Sequence, residues 1–599
     1  MPDSKAAASI QSQPHLANPD QFPSFIRGVF LGEVREDLVF PYPALTADER
    51  ESLRLMVDAF RAWAAEHVDS KALDHEGKFT DEIRAGMAEL GLMGVNIPEE
   101  YGGFGASARV FSRIFAEIGA VDPALCVYFG AHQSIGCKGI TLFGTEEQKK
   151  RWLPRCASGE VVAAFCLTEP GSGSDAQAMA TTATLSGDAK YYSINGTKIW
   201  ISNAGYAGVF TVFAKVAVKQ PDGTTKQRVT AFIVDAKAPG ITLGHPEQKM
   251  GIKASDTRVV TFSDVRVPVA EMLGEVGHGF KIALEILNTG RLGLAAGSAR
   301  GSRRIMQDAL AYAKQRQQFG RPIGSFEMIQ QKIANNAVET YAADSAWMLT
   351  AGIVDKGGID FSLETAACKV FASELAFRAA NDAMQIAGGI GYSKEAPYEQ
   401  AVRDSRINLI FEGTNEILRA LIALTALQQP GERLQALGKA FHDPLHSIGA
   451  IGSYVAGRAK RQIIKASFSK AHPTLADEAD AIATVIHDLA IAVEALILKH
   501  GKKIIDMQFL QLRLANAAID IYVATAVLTR TTWEIERAGG PEAAAAELDC
   551  ARVFIPAATR RARRSLRGLR VNQDARLKAI AERALDKGDL APEIPTDRT

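Results

Sequence analysis

Glu412 is the residue whose surroundings best suit acid–base chemistry. It stands in Ile410-Phe411-Glu412-Gly413-Thr414-Asn415-Glu416-Ile417-Leu418-Arg419. A lone carboxylate on a short loop, just ahead of an apolar helix, can take a proton from a molecule lodged beside the helix N-terminus. Gly413 frees the backbone for the turn, and Thr414 or Asn415 can cap the helix. The same letters also describe an ordinary helix start with a solvated acid. Other stretches are needed to decide between the two.

The first of these, Phe165-Cys166-Leu167-Thr168-Glu169-Pro170-Gly171-Ser172-Gly173-Ser174-Asp175, is a strand running into a Pro-Gly loop. Its glycines let backbone approach a phosphate or ring closely. The loop leads to more strands and not to a helix, which excludes a Rossmann dinucleotide site. Trp200-Ile201-Ser202-Asn203, Arg316-Gln317-Gln318-Phe319-Gly320 and Gln385-Ile386-Ala387-Gly388-Gly389-Ile390-Gly391-Tyr392 are further candidates. Each also has a plain structural reading. Trp200 suits a strand core, Arg316 can cap helix carbonyls or face water, and the glycines after Ala387 can end a helix.

These stretches need elements to hold them. From about Thr46 to Ser158 the apolar spacing is helical, as in Glu51–Ala65 and Ala106–Ile118. From about Val161 to Glu275 it is β. Tyr191–Ile194, Asn195-Gly196 and Thr197–Ser202 predict a hairpin with a type I′ turn. Long helices follow, at about Phe280–Gln318, Phe326–Lys356, Leu363–Ala387 and Asn415–Leu427, the last ending before Pro430. An added helical block runs from about Glu432 to Lys587, broken near His472-Pro473.

The fold class is therefore α+β multidomain. An N-terminal α-helical domain (41–160) follows an arm (1–40), then come a middle antiparallel β domain of sandwich or barrel type (161–276), a helical bundle (277–430) and a C-terminal helical extension (431–599).

The 68 basic and 68 acidic residues cancel, so no global field invites nucleic acid. The six cysteines form no CxxC pair and read as reduced core residues, with no metal site. No apolar run approaches the roughly 20 residues that span a bilayer. Met1 to about Phe22 has neither a signal-peptide block nor an Arg-rich transit pattern and is expected to be a flexible arm. The expected location is cytoplasmic, with peripheral contact at the inner membrane face. The contact would come from Arg458, Lys460, Arg461 and Lys465 beside Ile463, Ile464 and Phe468, or from Arg560, Arg561, Arg563, Arg564, Arg567 and Arg570 beside Leu566 and Leu569. Both runs also read as solvated helix faces or subunit contacts.

In order and spacing, the four stretches around Thr168, Trp200, Gly388 and Glu412 resemble the acyl-CoA dehydrogenase family over about Pro41 to Pro430. Phe40-Pro41-Tyr42-Pro43 and the C-terminal block resemble its very-long-chain branch. The resemblance implies FAD as cofactor and α,β-dehydrogenation of long-chain acyl-CoA, with Glu412 as base and an electron-transfer flavoprotein as acceptor. It implies flavin contacts from Phe165, Leu167, Thr168, Gly173, Ser174, Trp200, Ile201, Ser202, Thr414, Asn415 and Glu416. Arg316, Gln318, Phe319, Gln385, Ile386, Gly388 and Gly389 would come from the partner of a homodimer. It implies substrate contacts from Ser174, Asn288, Arg291, Phe411 and Gly413, with the Glu412 N–H and a flavin ribityl hydroxyl on the thioester carbonyl. Some relatives carry the base where Gly290 stands, and here that position has no side chain. Cys126 and Gly130 match the pocket floor, and Cys126 is larger than the glycine expected there. An acyl-CoA oxidase and a non-catalytic flavin-binding assembly partner remain as alternatives.

Overall fold

The computed structural model describes residues 23–442 and 466–590. The arm from Met1 to Phe22 and the basic run Arg458–Lys465 lie outside the described residues.

The N-terminal part is helical: α1 (Ala47–His67), α2 (Ala108–Val121) and α3 (Pro123–Gly130) are its main elements. Local chemistry sets their starts. Thr46 and Glu49 form a capping box on α1, the Thr46 N–H donating to the Glu49 carboxylate at 2.8 Å and the Glu49 N–H to Thr46 Oγ1 at 3.1 Å. Asp122 breaks the chain between α2 and α3 and accepts from the Leu125 N–H at 2.7 Å, with Pro123 in the first helical position. A single π-helical turn, Ala131–Gly136, extends α3.

Eight strands follow: β1 (Val162–Cys166), β2 (Thr182–Leu185), β3 (Tyr191–Ser202), β4 (Ala207–Lys219), β5 (Thr225–Asp235), β6 (Ile241–Leu243), β7 (Thr257–Pro268) and β8 (Met272–Leu273). They join in one sheet in the order β6-β7-β3-β2-β4-β5-β8, with β1 also on β4. The sheet is antiparallel except that β1 and β2 both run parallel to β4. Val209 to Ala214 of β4 are all buried, as a central strand requires.

The expected hairpin at Asn195-Gly196 is absent. β3 runs straight through these residues as one strand. Gly196, at φ +153°, sits in a bulge against β7, where Asn195 Oδ1 accepts from the Asp264 N–H at 2.8 Å and Asn195 Nδ2 donates to Asp264 Oδ1 at 2.9 Å. Asp264 takes the left-handed conformation, at φ +51°, that Asn195-Gly196 would take in a tight turn.

The next helices are α4 (Gly279–Gln315), α5 (Glu327–Lys356), α6 (Ser362–Ala387) and α7 (Asn415–His442). α7 does not stop before Pro430. It carries that proline inside, and the lost donor and the ring's clash with the preceding turn, about 3 kcal/mol, are offset by burial of Leu427 and Pro430. Residues 24–40 are not an arm. The helix Phe25–Phe30 is wholly buried, Arg27 pairs with Asp360 at 3.0 Å and Ser24 Oγ donates to Glu364 at 2.7 Å, both on or beside α6.

The C-terminal part comprises α8 (Ala476–His500), α9 (Gln508–Ala538), α10 (Ala545–Gly568) and α11 (Asp574–Lys587). Among the described residues two helices are long and apolar enough to cross a bilayer by length and composition alone, Pro473–Asp506 and Gln508–Ala538. The second is 83% buried inside the protein and serves as its central core helix. Tyr522 on α9 meets Thr350 of α5 at 2.6 Å, and Tyr341 meets Thr531 at 3.0 Å. On α10 the second basic run is mostly exposed, but Leu569 is buried in the core and Arg561 pairs with Asp520 at 2.6 Å.

Candidate active site

Glu412 lies in the turn before α7 with φ +59°, and Gly413 follows at +89°. A glutamate in the left-handed region is strained, and such strain persists only where the surroundings impose it. Two buried cations do so here. Arg291 on α4 donates through Nε to the Glu412 carbonyl at 3.1 Å and through Nη1 to Asn288 at 2.8 Å. Lys369 on α6 donates to the Gly413 carbonyl and to Asn415 Oδ1, both at 2.8 Å. Thr414 Oγ1 accepts from the Ile417 N–H at 3.3 Å and caps α7.

The carboxylate itself is poised. Its Oε2 is buried and bonds nothing among the described residues. A Cβ on residue 290 would stand 2.8 Å from that atom, so Gly290 is the gap the acid fills. Burial pushes its pKa up to about 7, against the pull of Arg291 and Lys369. Burial also brings Arg291 down to about 10 and Lys369 down to about 7. A carboxyl near neutrality in a cleft matches what a general base needs. No described residue accepts from the Glu412 N–H.

Glu412, Phe411 and Ser202 line one cleft of about 150 Å³. From the acid it passes Ile135 and Ser134 of the π-helical turn, then Gly130 and Cys126, then Gly119 and Gly301. Small residues keep it open. Cys126 Sγ sits 3.2 Å from where Cβ atoms on Gly119 and Gly297 would stand. The cleft is therefore long, narrow and mainly apolar.

Beside its mouth, Lys198 and Ile199 of β3 hold the loop after β1. Ile199 N–H donates to the Thr168 carbonyl at 2.9 Å and Lys198 Nζ to the Leu167 carbonyl at 3.1 Å. Lys198 also forms a fully buried pair with Glu169 at 2.7 Å. Glu169 in turn accepts the N–H groups of Ala180 and Thr181. A register shift between Lys198 and Ile201 turns Trp200 outward, at φ +56° and 63% exposed. A Cβ on Gly171 or Gly173 would meet nothing within 4 Å, and Ser174 is exposed. Phe165 packs edge-on against Phe213, while Leu167 and Ile201 are buried. An outward indole, the Thr168 and Ser202 hydroxyls and a glycine loop with open space fit a flat ring and its phosphates.

The remaining flavin candidates are elsewhere in the chain. Arg316 follows α4, 25 residues after Arg291, so about 38 Å separates them along the axis at 1.5 Å per residue. Gln318 and Phe319 stand beside it, Phe319 93% exposed at φ +51°. Ile386 shares a small core with Ala313 and Tyr312 at that same end, which places Gln385, Gly388 and Gly389 there too. The two groups of candidates thus lie far apart along α4, one beside Gly290 and Arg291 and the other just past Gln315. Glu416 is exposed near the first, whereas Asn415 is buried and its side chain is spent on Lys369, Ser373 and Glu374.

Sequence reasoning missed Lys369, Ser134 and the Lys198–Glu169 pair. A lysine inside the alanine-rich run of α6 was the available signal, since such a charge is buried only with partners.

The fold and cleft define a flavoprotein that takes hydrogen from a carbon chain. The chain belongs to the acyl-CoA dehydrogenase family, oxidoreductases of CH–CH bonds whose cofactor is FAD. Family models match the N-terminal domain over 50–160, the middle domain over 164–265 and the C-terminal domain over 277–427. A model described as the ACAD9/ACADV C-terminal domain matches 473–590. The very long-chain specific acyl-CoA dehydrogenase, mitochondrial, of Rattus norvegicus is 40% identical over 98% of this chain and 91% of its own length. A crystal structure of an acyl-CoA dehydrogenase complexed with FAD from Bacillus anthracis has a TM-score of 0.76 at 31% identity, covering 95% of this chain and 96% of that one. Butyryl-CoA dehydrogenase from Megasphaera elsdenii has a TM-score of 0.60 at 36% identity, covering 64% of this chain and 99% of that one.

Proposed function

We propose that this protein dehydrogenates long- or very-long-chain acyl-CoA thioesters to trans-2-enoyl-CoA in fatty acid oxidation, as a homodimer that passes electrons to an electron-transfer flavoprotein. The observation that carries the reading is the unpartnered Glu412 Oε2 at the head of a long apolar cleft. The acyl chain lies along Gly130, Gly119 and Gly301, and Glu412 takes the proton from the α-carbon. The free Glu412 N–H donates to the thioester carbonyl and stabilises the charge that develops there. Arg291 and Lys369 hold the turn so that both groups stay aimed. Closure of the cleft by the chain excludes water and keeps the carboxyl pKa near working pH. Bound FAD supplies the acceptor for the β-hydrogen, which leaves as hydride. Thr168, Trp200 and Ser202 would hold it on one subunit, and Arg316, Gln318, Phe319, Gln385, Gly388 and Gly389 on the partner.

The domain limits proposed are 41–160, 161–276, 277–430 and 431–599, with residues 24–40 packed on the bundle. The location proposed is cytoplasmic, with peripheral contact at the inner membrane face through the C-terminal block. Exposed Leu498 and Ile505 interleave with Lys499, Lys502 and Lys503 there, which supports that contact.

Anaerobic mixing with acyl-CoAs of increasing length tests the reaction. Long saturated chains are expected to bleach the flavin, at a rate that rises with pH through about 7 as Glu412 ionises. Glu412→Gln should bind the same substrates without bleaching. Wild-type bleaching by that variant would remove Glu412 from the mechanism.

A further inference from the structure

Lys369 is a fully buried amine whose hold on the turn is described above but whose charge the established chemistry leaves without a task. Its Nζ donates to two neutral oxygens, the Gly413 carbonyl and Asn415 Oδ1, and no carboxylate among the described residues reaches salt-bridge distance. An ammonium so buried needs a countercharge. Four charged groups face it. Glu374 on its own helix is already engaged by Arg419 at 2.8 Å and by Asn415 Nδ2 at 3.3 Å. Glu416 on α7 is exposed to solvent. Arg291 on α4 has the same sign. Glu412, one residue from the carbonyl that Lys369 binds, is the remaining anion, and its Oε2 is bare.

We propose that Lys369 is a positioning residue for the catalytic base: it clamps the left-handed Glu412-Gly413 turn from below and supplies the buried countercharge that keeps Glu412 ionised before substrate arrives. This rests on the reading of Glu412 as the base. The clamp is double. Arg291 grips the carbonyl of Glu412 and Lys369 that of Gly413, from two different helices, so neither peptide plane can rotate to relieve the strain at φ +59°. Asn415 adds the link to α7, since Lys369, Asn415 and Ser373 form one network, with Asn415 Nδ2 donating to Ser373 Oγ at 3.1 Å. When the α-proton moves to Glu412 the carboxyl becomes neutral and Lys369 loses its countercharge.

The test uses the FAD-loaded enzyme with Lys369→Met, Lys369→Arg and Asn415→Asp. Two quantities are followed: the pH dependence of anaerobic flavin bleaching, and the titration of the Glu412 carboxyl seen as an infrared difference against Glu412→Gln. Loss of a nearby opposite charge should move the carboxyl titration of Lys369→Met upward by about one pH unit or more. The bleaching limb should follow it, with the rate at pH 7 about fivefold lower or worse. Lys369→Arg should restore the limb. Asn415→Asp, which supplies Lys369 with a rival anion and keeps the packing, should shift the titration in the same direction as Lys369→Met, so the idea stays testable if Lys369→Met does not fold. An unmoved carboxyl titration in Lys369→Met, or in Asn415→Asp should the former not fold, overturns the proposal. A titration that moves while the bleaching limb stays supports the countercharge and instead removes Glu412 as the base.

Discussion

Glu412 has its chemistry at a cost to stability. Its folded-state pKa of about 7 stands above the ordinary carboxyl value of 4.5. A raised acid favours the folded state fully below the lower value, and that favour is lost as pH rises through the upper one. A difference of about 2.5 units corresponds to roughly 3 kcal/mol once ionisation is complete. Glu412→Gln keeps the shape and removes the buried charge. The variant should therefore melt several degrees above wild type at pH 8, the gap narrowing toward zero as pH falls to 5. Calorimetry without bound substrate measures it. A gap that widens toward low pH would mean that Arg291 and Lys369 outweigh burial and that Glu412 is a structural anion. The unpartnered Oε2 favours the first outcome, since a structural carboxylate would have filled both its oxygens.

The loop after β1 is held by charge where the Glu412 turn is held by carbonyl clamps. Lys198 and Glu169 are both almost wholly out of water, and Glu169 collects the Ala180 and Thr181 N–H groups at the far end of the loop. Lys198→Met leaves that carboxylate buried and unpaired, a loss of about 3–5 kcal/mol. The flavin absorbance per protein should fall with the melting temperature, and adding Glu169→Gln should recover part of both. The Pro-Gly loop and the Glu412 turn were legible in the sequence because glycine, proline and capping residues act locally. Helix extents in the bundle were legible for a similar reason, through apolar periodicity. What local letters could not supply was the partner across space. Asn195-Gly196 has the composition of a tight turn, yet Asp264, far along the chain, takes the left-handed conformation and makes the site a bulge. Pro430 reads as a stop, but packing carries α7 through it. Lys369 has its partners Gly413 and Asn415 more than forty residues later, where no local pattern points to them.

Helix α4 sets the architecture of the whole molecule, because it is a rod of 37 residues with Gly290 and Arg291 beside Glu412 a third of the way along and Arg316 just past its far end. Glu412, Thr168 and Trp200 belong to the first place, while Arg316, Phe319, Gln385 and Gly388 gather at the second. One extended cofactor cannot reach both groups within a chain if about 38 Å lies between them. A two-fold pair of antiparallel rods solves this, since each then offers its second place to the other's first. Exposed Phe319, Met328 and Tyr392, each more than four-fifths open to solvent in the single chain, are what such a contact would cover. Complementation between two dead variants decides the matter. Arg316→Ala lacks the second half-site and Glu412→Gln lacks the base. In a mixed dimer, one site combines both lesions and the other has neither. With random pairing, half the dimers are mixed and each has one sound site, so co-refolded enzyme should regain about one quarter of wild-type activity. If each chain built its own complete site, the mixture would stay as inactive as its components.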